Sequence, residues 1–211
     1  MAEQQKPLSS GITENTPGNL MLGAGTIHQG LKYTTETGWN FKESIIGATS
    51  GGSKFTITPE FLDPEVDGAN VKVKGLARKV GETASLETNF AEITPEIMKW
   101  AVIGSSKDST TATGYTEVTS KPRIEEGDYI ENFGYVGKTL DGKAIIIIFD
   151  NALCTSGLEV EGKSKEMAVL KATFECYANI DGDLETLPYH IYYPKAQAAL
   201  MATNTETKAT K

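Results

Sequence analysis

The feature that most constrains this chain is a period of two. Along several stretches apolar and polar residues alternate, which lets one side chain in two be buried while its neighbours stay wet; that is the pattern of a β-strand and not of a helix. Phe55, Ile57, Pro59 and Phe61 alternate with Thr56, Thr58 and Glu60. Val71, Val73 and Ala77 oppose Lys72, Lys74 and Arg78, and Ala84, Leu86 and Phe90 oppose Thr83, Ser85, Glu87 and Asn89. Ala168, Leu170, Ala172, Phe174 and Cys176 share a side, as do Leu187, Tyr189, Ile191 and Tyr193. Half-buried strands of this kind belong to antiparallel sheets with one solvated face. The run KAIIIIF, residues 143–149, has no polar side and predicts a strand covered on both faces. Asp141-Gly142 just before it is a type I′ turn signal. Residues 129–139 and 143–150 are therefore expected to pair as a hairpin, and Asp181-Gly182 should turn the chain again.

The alternation breaks in a few places. Residues 94–102 predict a helix: Thr94 is a suitable N-cap, Pro95 fits the first turn, and Glu96 complements the helix dipole. Ile97, Trp100 and Ala101 share its apolar side, and Gly104 is placed to end it. A weaker helix is expected over 195–201. Residues 104–127 are polar and poor in core residues, and read as a long loop or a hairpin with little support of its own; such a segment is often a contact element. Residues 1–18 and 201–211 are polar and read as flexible arms, which leaves 19–200 as a single β domain.

Composition removes several function classes. No apolar run is long enough to span a membrane as a helix. The polar N-terminus lacks the apolar core of a secretory signal, so the chain is expected to be made and kept in a cytoplasm, with no membrane partner. The formal charge of −8, without a basic cluster free of acids, argues against dedicated nucleic-acid binding. Two cysteines, Cys154 and Cys176, make neither a disulfide framework nor a zinc site, and both are expected to be buried thiols.

Candidate chemistry is thin. The two histidines, His28 and His190, sit near no nucleophile motif and are assigned structural or surface roles. Residues 47–54, GATSGGSK, superficially look like a phosphate loop, but Gly52-Ser53-Lys54 has the wrong order and a strand follows, so a loop between strands is expected. Asp181-Gly182-Asp183 has too few ligands for an EF-hand and reads as a turn. Glu125, Glu126 and Asp128 read as a solvated acidic face and not as a catalytic carboxylate pair. Trp39, Phe41 and Trp100 could form a sugar platform, but packing in a core or interface is the expected use. No catalytic residue, metal or cofactor is expected.

Three sets of phrases carry a family resemblance: NLMLGAGTIHQGLKY; then GWNFKESIIGATSGGSKFTITPEF and VDGANVKVKGLARKVGETASLETNFAEITPEIMKWAV; then ALCTSGLEVEGKSKEMAVLKATFECYA with LPYHIYYPK. Over about residues 19–195 the chain resembles the major tail proteins, or tail tube proteins, of long-tailed phages and prophages of Gram-positive bacteria. The resemblance implies a mainly β fold, an antiparallel β-sandwich or half-barrel with one flanking α-helix. It implies self-assembly into stacked, hexameric rings that form a hollow virion tube. It also implies tape measure, tail-terminator and baseplate or distal tail proteins as partners, and DNA that passes without specific binding. On that basis Ser44, Gly51, Lys54, Lys107, Thr113 and Lys121 are candidate assembly contacts, and Glu87 and Glu131 candidate lumen-facing acids. The competing expectation is a β-sandwich module that binds carbohydrate or a cell surface.

Overall fold

The computed structural model describes residues 10–14, 16–162, 164–165 and 167–194. The expected helix at 195–201 and the C-terminal arm lie outside them. A one-turn helix α1 (Thr16–Asn19) leads into β1 (Met21–His28), the short pair β2 (Tyr33–Thr34) and β3 (Gly38–Trp39), and a second one-turn helix α2 (Phe41–Ser44). Then follow β4 (Ile45–Gly47), the long strands β5 (Thr49–Leu62) and β6 (Arg78–Phe90), and α3 (Pro95–Ala101). The second half holds β7 (Gly104–Asp108), β8 (Thr116–Ser120), a 3-10 turn (Glu126–Asp128), β9 (Ile130–Thr139) and β10 (Ala144–Cys154). It closes with β11 (Glu159–Glu161), β12 (Val169–Cys176) and β13 (Tyr189–Tyr192).

One antiparallel sheet dominates, ordered β4-β1-β9-β10-β12-β6-β5, with β11 on β12 and β13 on β10. The sheet rolls up, because one core draws on β1 (Ile27), β6 (Leu86, Phe90), β9 (Phe133), β10 (Phe149) and β12 (Leu170, Phe174) together, and β5 comes back against β1. The fold is thus mainly β, in half-barrel form with one principal helix, as the alternation required. Helix α3 closes the open side. Thr94 Oγ1 accepts the Ile97 N–H at 3.3 Å, and Ile97, Trp100 and Ala101 are buried. Its end differs from expectation: Ile103 takes the left-handed conformation (φ 49°), and Gly104 begins β7, where a Cβ would meet the Thr119 carbonyl oxygen at 2.4 Å.

Strand β10 is covered on both faces, as its all-apolar run predicted. Phe149 and Ala152 enter the main core, while Ile146 and Ile148 join Leu31 and Val136 in a second cluster with Trp39 and Phe41. The β9–β10 hairpin forms, but its turn has three residues, 140–142, with Thr139 N–H donating to Lys143 O at 2.8 Å. Only Gly142 has positive φ (78°), so this is the bulged three-residue turn, not type I′.

Two further expectations are corrected. Residues 66–77 form turns, so the alternation of Val71, Val73 and Ala77 is not a strand; β6 starts at Arg78. Phe41, spaced as if to follow Trp39 on a strand, starts α2. The one-turn helix α1 (Thr16–Asn19) spans the expected boundary between the N-terminal arm and the domain, and a Cβ on Gly18 would meet Asp141 Oδ2 at 2.7 Å.

Candidate functional site

Two exposed surfaces stand out. The first is the distal part of the β5–β6 hairpin. Its proximal part is held by β12, which pairs β6 from Ser85 to Phe90. There Phe55 and Ile57 pack on the core. Further out the hairpin keeps its register, Phe61 opposite Lys79 and Leu62 opposite Arg78, and ends in a loop of residues 63–77. Sequence alternation assigned Phe61 to the core, but the core stops short of it. Phe61 is 62% exposed, Val71 77% and Val80 56%, with Leu62 and Val73 also largely exposed. The distal hairpin thus carries several exposed apolar side chains. The arm's two limbs differ in charge: Glu60, Asp63, Glu65 and Asp67 lie on the outgoing limb, and Lys72, Lys74, Arg78 and Lys79 on the returning one. Lys72 pairs with Asp63, and Lys79 with Glu82 at 2.8 Å.

The second surface is a groove of about 940 Å³ over the outer face of β10. Ile146 and Ile148 form its floor, and Tyr33, Trp39, Tyr192 and Tyr193 its walls. Trp39 meets Tyr33 edge-on at 5.3 Å and Tyr192 at 5.0 Å between ring centroids. Lys32 stands on the β2 wall. Asp150, on β10 itself, has its Oδ1 3.4 Å from His190 Nε2. Local pattern does not reveal that Trp39 meets Tyr192; the β10–β13 pairing carries Tyr192 to the face of β10 on which Trp39 packs.

The outward face of β5, β6, β12 and β11 is polar. Lys54 Nζ bonds Glu87 Oε1 at 2.9 Å, Lys171 reaches Glu159 at 3.4 Å, and Glu161 and Glu175 stand in the same register. Among the described residues, glutamates outnumber lysines on this face. Glu87 is on it. Glu131 is exposed elsewhere, opposite Asn151 and beside Glu125 and Tyr177 in a shallow hollow.

The remaining predicted contacts separate. Ser44 is no loop residue: it ends α2, is buried, donates to Asn40 O at 2.9 Å and so accepts from His28 Nδ1–H at 2.9 Å. Gly51 and Lys54 lie within β5, where Gly51 and Gly52 (φ 80° and 85°) make a bulge, so residues 47–54 are not a loop between strands. Lys107 and Thr113 are exposed, on β7 and at the tip of the β7–β8 hairpin, so the polar segment 104–127 contains ordered structure packed on α3. Lys121 is committed within the chain, 2.8 Å from Glu125 and 2.7 Å from Asp128. Asp128 is buried, which corrects its reading as a solvated acid. Burial opposes its charge, but Lys121 and the Glu125 N–H hold its carboxyl below the usual range.

His28 is buried between Thr26 Oγ1, at 2.8 Å from Nε2, and Ser44. Burial lowers its pKa from 6.5 to about 4, so it is a neutral structural group at pH 7. Cys154 and Cys176 are both buried free thiols. Burial raises Cys154 and, with the Asp150 charge, pushes Cys176 up to about 12, which makes both poor nucleophiles. Trp100 is buried beneath α3 and cannot serve as a platform, whereas Trp39 and Phe41 line the groove. Among the described residues no cluster of His, Cys, Asp and Glu could hold a metal ion, and no helix is long and apolar enough to cross a membrane. The chain matches no protein-family model and no curated protein.

Proposed function

We propose that this chain is a structural subunit that works by self-assembly, as the tail tube protein of a long-tailed phage, stacking in rings around a channel for DNA. The observation that carries this reading is the β5–β6 arm. A hairpin that leaves the core with Phe61, Leu62, Val71, Val73 and Val80 exposed gains by burying them against a partner. The acidic face bearing Glu87, Glu159 and Glu175 suits a channel wall, because like charge keeps phosphates from adhering. Tape measure, terminator and baseplate proteins would be the further partners, and the virion tail the location.

Negative-stain electron microscopy across a concentration series tests the proposal. Rings or hollow tubes with a central hole are expected; a chain that stays monodisperse at all concentrations, also when seeded with tail tips, counts against it.

A second reading has its own observation. Tyr33, Trp39, Tyr192 and Tyr193 around a polar rim could stack on sugar rings, as in a carbohydrate-binding module. Saturable binding of an oligosaccharide by the monomer, lost in Trp39→Ala, would favour it.

A further inference from the structure

We infer that Asp67, in the turn that joins β5 to β6, is a modification site: its link to Gly68 rearranges spontaneously through a succinimide to an isoaspartyl bond. In the first step the Gly68 backbone nitrogen attacks Asp67 Cγ. A C–N bond forms, the C–OH bond of the carboxyl group breaks, and water leaves with the amide proton. In the second step water adds back and opens the ring at either carbonyl. Opening at the α-carbonyl leaves Gly68 attached through Cγ, with an extra methylene in the main chain and a free α-carboxylate. The water lost is the water regained, and the co-reactant is the solvent. Glycine favours the step because it has no Cβ to hinder the approach. The chemistry stands apart from the assembly reading above.

The sequence holds three Asp-Gly pairs, Asp67-Gly68, Asp141-Gly142 and Asp181-Gly182, and all three are exposed. Neither sequence nor exposure ranks them; the state of the attacking nitrogen does. The Gly142 N–H donates to Thr139 O at 2.9 Å and the Gly182 N–H to Asn179 O at 3.0 Å. Each of those turns must open before its nitrogen can reach the preceding carboxyl group. The Gly68 N–H donates to nothing among the described residues, because the bond that closes its turn comes from the next residue, Ala69 N–H to Val66 O at 3.0 Å. The carboxyl groups differ as well. Asp141 Oδ2 lies against Gly18, where a Cβ would meet it at 2.7 Å, whereas a Cβ on Gly68 (φ 88°) would meet nothing within 4 Å. Asp67 is in no ion pair among the described residues. The turn lies beyond the paired parts of β5 and β6, so an added methylene there breaks the Ala69–Val66 bond and leaves the rolled sheet intact.

The test is an ageing series on the full-length chain at neutral pH, followed by peptide mapping with electron-transfer fragmentation, which separates isoaspartyl from aspartyl peptides of equal mass. Isoaspartate is expected first at Asp67, with Asp141 and Asp181 slower by about fivefold or more, the factor that one retained backbone hydrogen bond supplies. The same series in urea should bring the three rates together, since the difference between them lies in the folded backbone. Asp67→Glu should abolish the signal at that position, because its ring would be one member larger. Asp67→Asn should hasten it, because ammonia leaves from an amide more readily than hydroxide from a carboxylate. The aged wild-type chain should melt at the same temperature as the fresh one. Isoaspartate that builds up at Asp141 or Asp181 as fast as at Asp67 in the folded chain overturns the inference, and so does a ranking that persists in urea. A folded chain that stays aspartyl at Asp67 while the unfolded chain rearranges there overturns it as well.

Discussion

At the scale of single residues, the fold relies on a few buried polar groups whose partners are specified. His28 ties β1 to the end of α2 through Ser44 and to Thr26. Its folded pKa, about 4, lies below its ordinary 6.5, so the neutral form is the one the fold keeps. The stability this secures is fully present above pH 6.5 and is lost as pH falls towards 4, by at most about 3 kcal/mol. Urea midpoints should therefore fall between pH 7 and pH 5 in wild type and much less in His28→Gln. Lys121 and Asp128 form the second such group. Removing the cation in Lys121→Ala leaves a buried carboxylate without its counter-charge, so the melting temperature should drop, and Asp128→Asn in that background should recover part of the loss. Gly25 is a steric requirement: its φ is 70°, and a Cβ there would fall 2.3 Å from the Tyr135 ring. Gly25→Ala should destabilise the fold by about 2 kcal/mol or more, measured by thermal unfolding.

At the scale of elements, the β5–β6 hairpin divides into two parts with different work. The proximal part, paired with β12, belongs to the core; the distal part beyond Phe61 contributes little to it. Replacing residues 63–77 by a two-residue Asn-Gly turn should therefore leave the circular dichroism and the melting temperature nearly unchanged and abolish ring or tube formation in electron microscopy. The β7–β8 hairpin behaves otherwise. It packs on α3 and leads to Lys121, so deleting residues 105–121 should lower stability as well as alter any contact made by Lys107 or Thr113.

At the scale of the whole molecule, the rolled sheet places three unlike surfaces on one chain: an apolar arm, an aromatic groove and an acidic face. On the assembly proposed above, the arm would bear on association and the face on what association encloses. If the face bearing Glu87 lines a channel, Glu159→Lys with Glu175→Lys should still give tubes. Those tubes should retain short duplex DNA in co-sedimentation at low salt, where wild-type tubes do not, and release it as salt rises.

Much of this architecture was legible in the sequence, for a local reason. Alternation along β6 and β12, the apolar run of β10 and the Thr94-Pro95 helix start are each set by neighbours a few residues apart, and chain-local chemistry decides them. Glu125, Glu126 and Asp128 read as one solvated face because burial is not local: Asp128 is buried by where the chain passes, not by its own neighbours in sequence. Alternation at Phe61 and at Val71 and Val73 looked the same as alternation at Leu86, because period two reports that one side is apolar and not whether anything covers it. Where the core ends along a long hairpin, and that Trp39 meets Tyr192 across some 150 intervening positions, depends on which strands lie side by side. Sequence determined the strands; the rolling of the sheet alone decided which of their apolar sides are core and which stay exposed.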